Sequence, residues 1–451
     1  MIEKSDTVPY SGGTITMMRS LFSGVAGLKT HQTKMDVIGN NIANVNTVGY
    51  KAQSVSFSDV LYQTTQSASG PNASTGRGGT NAMQIGLGSK VAAMSTSVSD
   101  SGGSQATNNP FDLMINGDSM FIVNDGTQNF FTRAGNFTTD ASGNLVTSAG
   151  YSVMGWLPDA NGNIQRATVK PLSIYTAENT YTNPTQTTKT TITGNINKED
   201  ESFSATGGKI STNVSFYDNL GYEYRATLSI SQDTTDPYSY NITCTAMTCN
   251  GTDMGLTDAQ LQAVINNVNI KFNSADGSLD TGNPLTLTVT GLGNSFDQNI
   301  TVDISQVTCF GKDTSLVPKK GDADGQNAGL AAGKMTSVSI QTDGKIIASY
   351  DNGASKTLGQ IVVATFTNLA GLEKAGSNLY SATMNSGEFD GIGQDITSDG
   401  GSFAPGYVEM SNVDLAGQFT DMITTQRGFQ ANSRIITVSD TMLEELINLK
   451  R

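Results

Sequence analysis

The chain has 451 residues, a length that predicts about two to four domains rather than a single core. It carries 26 Lys and Arg against 40 Asp and Glu, and a formal net charge of −14 would repel phosphate backbones, so we expect no nucleic-acid partner. One histidine, His31, and three cysteines, Cys244, Cys249 and Cys309, are too few for most His-dependent catalytic or metal sites and for a disulfide-stapled scaffold.

The N-terminal residues show no targeting or membrane signal. A basic region followed by an apolar stretch is missing, and no apolar run in the chain reaches the roughly 18 residues of a membrane-spanning helix. We therefore predict no membrane insertion, and either a cytoplasmic protein or one exported without a cleaved Sec signal. Residues 1–17 are mixed polar with Pro9, Gly12 and Gly13, which indicates a disordered extension or a mis-assigned start.

A heptad-like stripe predicts a long helix within residues 18–46. Its apolar positions recur in steps of four and three, or their sum, at Leu21, Val25, Leu28, Met35 and Ile42. This spacing places the side chains on one narrow helix face, which must meet another helix. Residues 47–90, which follow, are predicted to form an extended connecting segment.

The hydrophobic period changes to two in residues 91–169 and again in residues 334–410, which predicts one inner β domain built from both segments. Asn116-Gly117 is predicted to turn a hairpin between two short apolar strands, and Asp343-Gly344 a second one. Alternating aromatic residues are compatible with a carbohydrate or base platform, but such positions more often fill a core, which we favour. They are Phe121, Phe130, Phe131 and Phe137.

Residues 170–333 are also β-like but differ in composition. They are richer in Thr and Asn, contain all three cysteines, and include one helix-like piece from Asp258 to Asn267. The predicted strands at both borders of this segment resemble the predicted strands of the inner β domain. We therefore interpret this segment as an outer β domain inserted into the inner one.

A second heptad-like stripe predicts a helix in residues 411–451. Ser411 stands three residues before Asp414, a capping-box pattern that predicts a helix start. The stripe runs through Leu415, Phe419, Met422, Phe429, Ile436 and Leu443. We expect this helix to pack against the first one, and the fold class is predicted as mainly β with paired N- and C-terminal α-helices, in a nested multidomain architecture with an inserted outer β domain.

Sequence signatures of catalysis are missing. No phosphate-binding P-loop, nucleophile elbow or H-E-x-x-H zinc motif occurs, and no acid and base pair can be named. We therefore predict that the protein is not an enzyme and has no cofactor and no metal site.

The residues after the first helix carry a specific resemblance. The stretch from Ala43 to Lys51 resembles the A-N-x-x-T-x-G-Y-K signature of the bacterial flagellar rod and hook axial proteins. The matching positions are Ala43, Asn44, Thr47, Gly49, Tyr50 and Lys51. Further stretches similar to this family lie at residues 21–28, 131–137 and 425–432, so the resemblance is found at both ends of the chain and in the right order.

The resemblance implies a function in motility. Within the family, the large inserted domain and the run from Leu358 to Ile361 look like the hook subunits, whose polymer is a curved flexible tube that transmits motor torque to the filament. It implies paired terminal helices around a central channel, and export through the flagellar type III route to an extracellular position in the flagellum. Implied partners are further copies of the chain, the hook cap, the distal rod, the hook–filament junction proteins and the flagellar export apparatus.

Two alternatives remain open: a distal rod or other axial subunit of the basal body, and a secreted β-rich adhesin. An adhesin would not need matched apolar helices at both termini. A narrow apolar stripe cannot be fully buried within one helix pair, so we expect neighbouring copies to cover it as a polymerisation seam. The predicted seam consists of Leu21, Val25, Leu28, Met35, Ile42, Leu415, Phe419, Met422, Phe429, Ile436 and Leu443.

Overall fold

The computed structural model describes residues 12–71, 76, 78–159, 162–204, 207–265, 268–282, 284–289 and 298–449. These residues form two compact units. Unit 1 contains the described residues up to Ile174 together with Ser339–Ile347 and those from Thr357 onward, and unit 2 contains Tyr175–Val338 and Ala348–Lys356. The inserted outer domain was predicted at residues 170–333.

The helices of the described residues are two long ones at the ends of the chain and three short ones between them. They are α1 (Gly12–Ala43), α2 (Ala177–Thr180), α3 (Glu201–Ser204), α4 (Asp258–Val264) and α5 (Leu415–Leu449), with 3-10 turns at Leu369–Gly371 and Ile396–Asp399. Helix α1 already begins at Gly12, inside the segment 1–17 that was interpreted as a disordered extension or mis-assigned start, and residues 1–11 lie outside the described part.

Twelve strands precede unit 2 in the chain. They are β1 (Gln53–Asp59), β2 (Tyr62–Gln66), β3 (Met83–Gly86), β4 (Ser89–Thr96), β5 (Ser104–Ala106), β6 (Leu113–Asn116), β7 (Met120–Asn124), β8 (Asn129–Thr132), β9 (Phe137–Thr139), β10 (Leu145–Thr147), β11 (Ser152–Trp156) and β12 (Lys170–Pro171). The first four form two antiparallel ribbons, β1 with β4 and β2 with β3, in the segment predicted as an extended connection.

The next twelve strands lie in unit 2. They are β13 (Tyr181–Thr182), β14 (Lys189–Asn195), β15 (Ile210–Tyr217), β16 (Glu223–Gln232), β17 (Ser239–Cys249), β18 (Thr252–Asp253), β19 (Val268–Phe272), β20 (Leu279–Thr281), β21 (Leu285–Val289), β22 (Gln298–Asp303), β23 (Val307–Thr308) and β24 (Ser315–Lys320).

The last eight strands include three whose residues are divided between the two units. These three are β25 (Gly333–Ile340), β26 (Lys345–Tyr350) and β27 (Ser355–Ile361). The remaining ones belong to unit 1 and are β28 (Val363–Ala364), β29 (Glu373–Gly376), β30 (Leu379–Ser381), β31 (Ser402–Pro405) and β32 (Tyr407–Glu409). The Asp343-Gly344 turn lies between β25 and β26, which are neighbours in the sheet as predicted.

Unit 1 is built on a sheet in which β7 pairs with β8, β11 and β28. Strand β7 is buried along most of its length, so it forms the centre of the core. Phe121, Phe131 and Phe137 are buried, in agreement with their predicted core role, and Phe130 is half-buried. The indole of Trp156 is buried as well, and its Nε1 donates a hydrogen bond to the carbonyl oxygen of Ile392 at 3.0 Å.

The predicted hairpin between β6 and β7 is wrong. The chain does turn at Gly117, which has φ of 131°, but β6 pairs with β31 instead of β7. Strand β5 similarly pairs with β32. Strands β5 and β6, early in the chain, therefore pair with the two strands that immediately precede α5.

Unit 2 has a core of its own between two sheets. One sheet has the strand order β15-β16-β17-β19-β20, and the other contains β14 and β21 to β24. Both sheets contribute to one buried cluster, which includes Val214, Phe216, Leu228, Ile242, Leu287 and Ile300. The predicted helix from Asp258 is α4, and its Leu261 and Val264 are buried in the same cluster. Cys244 and Cys309 are buried free thiols, and Cys249 is half-buried.

The two long helices of unit 1 pack side by side and antiparallel, as the sequence predicted. Near one end Ser20 Oγ lies 3.3 Å from Ser439 Oγ, and near the other Asn41 Nδ2 donates to Gln418 Oε1 at 3.2 Å. Lys34 and Asp421 form an ion pair at 3.1 Å between them. Helix α5 begins at Leu415, and Asp414 caps it by accepting the N–H of Ala416 at 3.0 Å, so Ser411 is not the cap.

Small residues allow the two helices to approach closely. A Cβ added to Gly27 would lie 2.7 Å from Asn432 Nδ2, and one added to Gly428 would lie 2.7 Å from Cε1 of His31. A Cβ at Gly24 would meet Ile436 Cγ1 at 3.3 Å. Glycines therefore lie where the two helices approach most closely, opposite Asn432, His31 and Ile436, and they cannot be enlarged without moving the helices apart.

We expect Gly27→Leu to weaken the helix pair, because the added side chain has no space beside Asn432. Overpacking of this kind costs about 1–3 kcal/mol. Gly39→Leu is the matched control on the same helix, since its Cβ would meet no described atom within 4 Å, and removing that exposed glycine should be neutral or stabilising. Thermal unfolding of both variants by circular dichroism tests the contact, and equal melting temperatures would contradict it.

Candidate assembly surface

The predicted seam residues of α1 do not lie on the side that the chain buries. Gly24, Gly27, Thr30, Val37, Ile38 and Asn41 are the buried positions of α1. Val25 is 54% exposed, and the other four seam residues of this helix, Leu21, Leu28, Met35 and Ile42, are half-buried. Helix α1 therefore keeps its apolar stripe beside, and not within, its contact with α5.

The seam residues of α5 are divided in the same way. Phe419 is 51% exposed and Leu415 is 38% exposed, whereas Met422, Phe429, Ile436 and Leu443 are half-buried. The structure brings Ile436 next to Gly24 of α1. Thr425 and Ser439 are the buried residues of this helix, and both are small and polar. As in α1, large apolar side chains are left at the surface of the chain.

Further apolar residues of the two helices are exposed, and the sequence reasoning missed most of them. They are Phe22 on α1 and Ile423, Ile435, Val438, Met442, Leu446, Ile447 and Leu449 on α5. Their signal was present in the sequence as apolar residues outside the heptad-like steps, and the helical period places Ile435, Val438 and Met442 across the α1 contact from the seam. We call the seam residues together with Phe22, Ile423 and Ile447, which lie on the same side as the seam, the exposed helix face. Apolar patches of this kind mark interaction sites.

The ribbons that follow α1 also expose apolar side chains. Leu61, Tyr62, Met83, Ile85 and Met94 are all exposed, and every residue of β2 and β3 is exposed. The β1–β4 ribbon packs against α1, where Phe57 meets His31 edge-on. The β2–β3 ribbon buries none of its residues against the described chain, and an isolated two-stranded ribbon is marginally stable in water.

The residues of the A-N-x-x-T-x-G-Y-K stretch form an internal junction instead of a surface. Ala43 ends α1, Asn44 Nδ2 donates to the carbonyl oxygen of Asn40 at 2.9 Å, and Thr47 Oγ1 donates to Asn44 Oδ1 at 3.1 Å. Gly49 has φ of 67°, a left-handed conformation that favours glycine, and it redirects the chain.

Tyr50 and Lys51 are the buried end of this stretch. Burial raises the pKa of the Tyr50 hydroxyl, which donates to Asn41 Oδ1 at 3.2 Å. The Lys51 ammonium forms an ion pair with Glu409 at 2.7 Å, with both side chains fully buried. The sequence marked these residues by resemblance alone, and Glu409 carried no signal of its own.

Other kinds of site find little support among the described residues. No described group of three or more His, Cys, Asp and Glu side chains is arranged to hold a metal ion. The described helices include none that is both long and apolar enough to cross a bilayer. A cavity of about 390 Å³ in unit 1 is lined by uncharged residues such as Asn44, Thr132, Asn136, Tyr151 and Asn378. It offers amide and hydroxyl groups and no acid and base pair.

Four family profiles match the chain in order. Residues 21–51 match "Flagella basal body rod protein", and residues 404–449 match "Flagellar basal body rod FlgEFG protein C-terminal". Residues 114–197 match "Flagellar hook protein FlgE/F/G D1 domain", and residues 185–325 match "Flagellar basal body protein FlaE D2 domain". The first match covers most of α1, the second contains α5, and the last lies within the sequence range of unit 2.

Similar proteins match over nearly the whole chain. The flagellar hook protein FlgE of Borreliella burgdorferi is 36% identical over 96% of this chain and 100% of its own length. FlgE of Treponema pallidum is 33% identical with the same coverage, and the flagellar basal-body rod protein FlgG of Bacillus subtilis is 31% identical, also over 96% of this chain and 100% of its own length. With its long paired helices, nested β units and this similarity from end to end, the chain belongs to the bacterial flagellar hook protein family.

Proposed function

We propose that the chain polymerises through its exposed helix face into the flagellar hook, a curved and flexible tube that transmits motor torque to the filament. A structural role in the hook and in motility follows from its family. The observation that carries the proposed mode of assembly is that α1 and α5, already paired, still expose large apolar side chains such as Val25 and Phe419.

The exposed helix face suits contacts between copies of one chain. Burying each large apolar side chain contributes about 1.5–3 kcal/mol, so a face of this width supplies a stable lateral contact. We infer that the face packs head to tail against a different surface of the next copy, because such contacts build open helical polymers. The seam predicted from the sequence forms part of this face and remains a proposal.

Unit 2 supports a different kind of contact. Its apolar residues are mostly collected in its own core, while its composition is rich in Thr and Asn. Wet polar contacts can be exchanged at low cost, which suits the outer part of a tube that bends as it turns. We therefore assign strong contacts to the helices and weak, sliding contacts to unit 2.

The remaining partners and the route to the flagellum follow the same proposal. Subunits would be exported through the flagellar type III apparatus without a cleaved Sec signal, assemble beneath a hook cap, and join the distal rod at one end and the hook–filament junction proteins at the other. This places the protein outside the cell, in the hook. Catalysis has no part in this role.

A distal rod subunit is the second candidate, because the FlgG protein of Bacillus subtilis matches this chain over nearly its full length. Both candidates use paired terminal helices, so the helices do not separate them. The two candidates are separated by the point at which flagellar assembly stops in a cell that lacks the protein.

We expect Val25→Asp and Phe419→Asp to block polymerisation without unfolding the subunit, because both side chains project at the surface of the chain. Each removes about 1.5–3 kcal/mol of apolar contact and adds a charge that would be buried in the polymer. Sedimentation and electron microscopy of the purified protein measure assembly, and circular dichroism measures folding.

The matched controls are Gln32→Asp on α1 and Thr420→Asp on α5, which introduce the same charge at exposed polar positions. These should assemble more nearly like the unmodified protein. Phe429→Asp is a weaker test than Phe419→Asp because Phe429 is half-buried in the chain itself. Normal tubes from Val25→Asp and Phe419→Asp would refute the assigned face.

A strain that lacks the gene should be non-motile, with basal bodies that carry a complete rod and no hook. Electron microscopy of isolated basal bodies makes this measurement, and complementation with the unmodified gene is the control. Basal bodies that lack the distal rod would favour the second candidate. Deletion of residues 411–451, which removes α5, should reproduce the strain's phenotype because more than half of the exposed helix face is lost.

A further inference from the structure

A fully buried ionic cluster connects the segment after α1 with the strand before α5. Its members, Lys51, Arg133 and Glu409, all have side chains with 0% exposure. Lys51 Nζ donates to Glu409 Oε1 at 2.7 Å and to the carbonyl oxygen of Asp100 at 2.6 Å. The N–H of Gly102 donates to the same Glu409 oxygen at 2.9 Å. Four segments that are distant in sequence therefore meet at one carboxylate.

The composition of this cluster argues against a role in stability alone. Two cations share one carboxylate, and burial lowers the pKa of both Lys51 and Arg133 while Glu409 opposes that shift. Arg133 Nη1 stands 3.8 Å from Glu409 Oε2, and neither that oxygen nor Arg133 Nε has a hydrogen-bond partner among the described residues. Apolar side chains of similar size often stabilise such a site as well or better, whereas ionic groups specify one arrangement.

Glycines around the cluster allow the surrounding backbone segments to approach one another closely. A Cβ on Gly49 would lie 2.6 Å from the nitrogen of Ala134, and Cβ atoms on Gly102 and Gly135 would overlap the carbonyl oxygens of Met410 and Leu113. Gly49 also donates its N–H to the carbonyl oxygen of Glu409 at 2.8 Å. The segments are thus held at fixed separations around the charges.

Both helices are tied to the short stretch that carries Lys51. Asn41 in α1 exchanges hydrogen bonds with the backbone of Gln53 at 2.8 and 3.0 Å and also donates to Gln418 in α5. Asn412, just before α5, accepts the N–H of Ala52 at 2.7 Å and donates to the carbonyl oxygens of Ser97 and Asp100, each at 3.0 Å. A change in the position of this stretch would therefore move both helices together.

We propose that Lys51 and Glu409, paired beside Arg133, are positioning residues that fix the direction in which α1 and α5 leave the β body of unit 1. The consequence for assembly rests on the proposed function: neighbouring copies can cover the exposed helix face only if every subunit presents it at the same angle. The cluster then contributes to assembly through geometry, in addition to any contribution to the stability of the fold.

The decisive variant replaces all three charges by apolar groups, as Lys51→Met, Arg133→Met and Glu409→Leu together. Spin labels, carried by unnatural amino acids at the exposed positions Gln32 on α1 and Thr138 on β9, report the distance between the helix pair and the β body. We expect a full-length protein that still folds, with a lower melting temperature because the Gly102 N–H and the Asp100 carbonyl lose their side-chain partners. We also expect a clearly broader distance distribution than in the unmodified protein, and assembly slowed by about tenfold, since preorganisation is lost.

Arg133→Met alone is the matched control, because it leaves Lys51 and Glu409 as a neutral pair at 2.7 Å. It should keep a narrow distance distribution. Should the triple variant fail to fold, Glu409→Asp decides: the shorter side chain keeps the charge but cannot hold both Lys51 Nζ and the Gly102 N–H, so the distribution should broaden while the protein remains folded.

The outcomes separate the two proposals. A narrow distribution and normal assembly in the folded triple variant, or in Glu409→Asp if the triple variant does not fold, overturn the positioning role. An unmodified protein that forms no tubes contradicts the proposed polymerisation, and the distance measurement still tests the cluster because it is made on single subunits.

Discussion

The contact between α1 and α5 uses small side chains, and much of the remaining structure depends on that choice. Gly24, Gly27 and Gly428 bring the two helix backbones together, and the polar contacts of Ser20 and Asn41 lie towards the two ends of the pair. A pair joined by its large apolar residues would have buried them within the subunit. Since glycines occupy the closest approach, many large side chains stay at the surface, where the proposed assembly would bring other copies against them.

The nested order of the chain serves the same division. Strands β5 and β6 pair with β32 and β31. The segment that follows α1 and the segment that precedes α5 are therefore hydrogen-bonded to each other within unit 1. Unit 2 is inserted between these segments in sequence and closes its own core. The adhesive helices and the inserted unit can therefore differ in composition and in the contacts they make without disturbing each other's packing.

The sequence predicted where helices and strands form better than it predicted which of them pack or pair with each other. Both long helices follow from the heptad-like stripes, but the face that packs is marked by Gly24 and Gly27, which a hydrophobic pattern does not report. The Asn116-Gly117 turn is present, yet β6 pairs with β31, because a local turn signal does not specify which distant strand completes the ladder. The pairing of Lys51 with Glu409 could not be predicted for the same reason. Each residue alone has the character of a surface charge, and only the fold brings the two together.

The charge of the chain is unevenly distributed between the two long helices and the remaining residues. The chain as a whole carries a net charge of −14, but residues 18–46 and 411–449 contain five Lys and Arg against six Asp and Glu. The excess negative charge therefore lies outside the helices. Free subunits repel one another through this charge, a repulsion that fades beyond about 10 Å at 0.1 M salt. Under the proposed mode of assembly, the nearly neutral helix faces would meet at shorter range with little repulsion, and the apolar contact would decide where copies join.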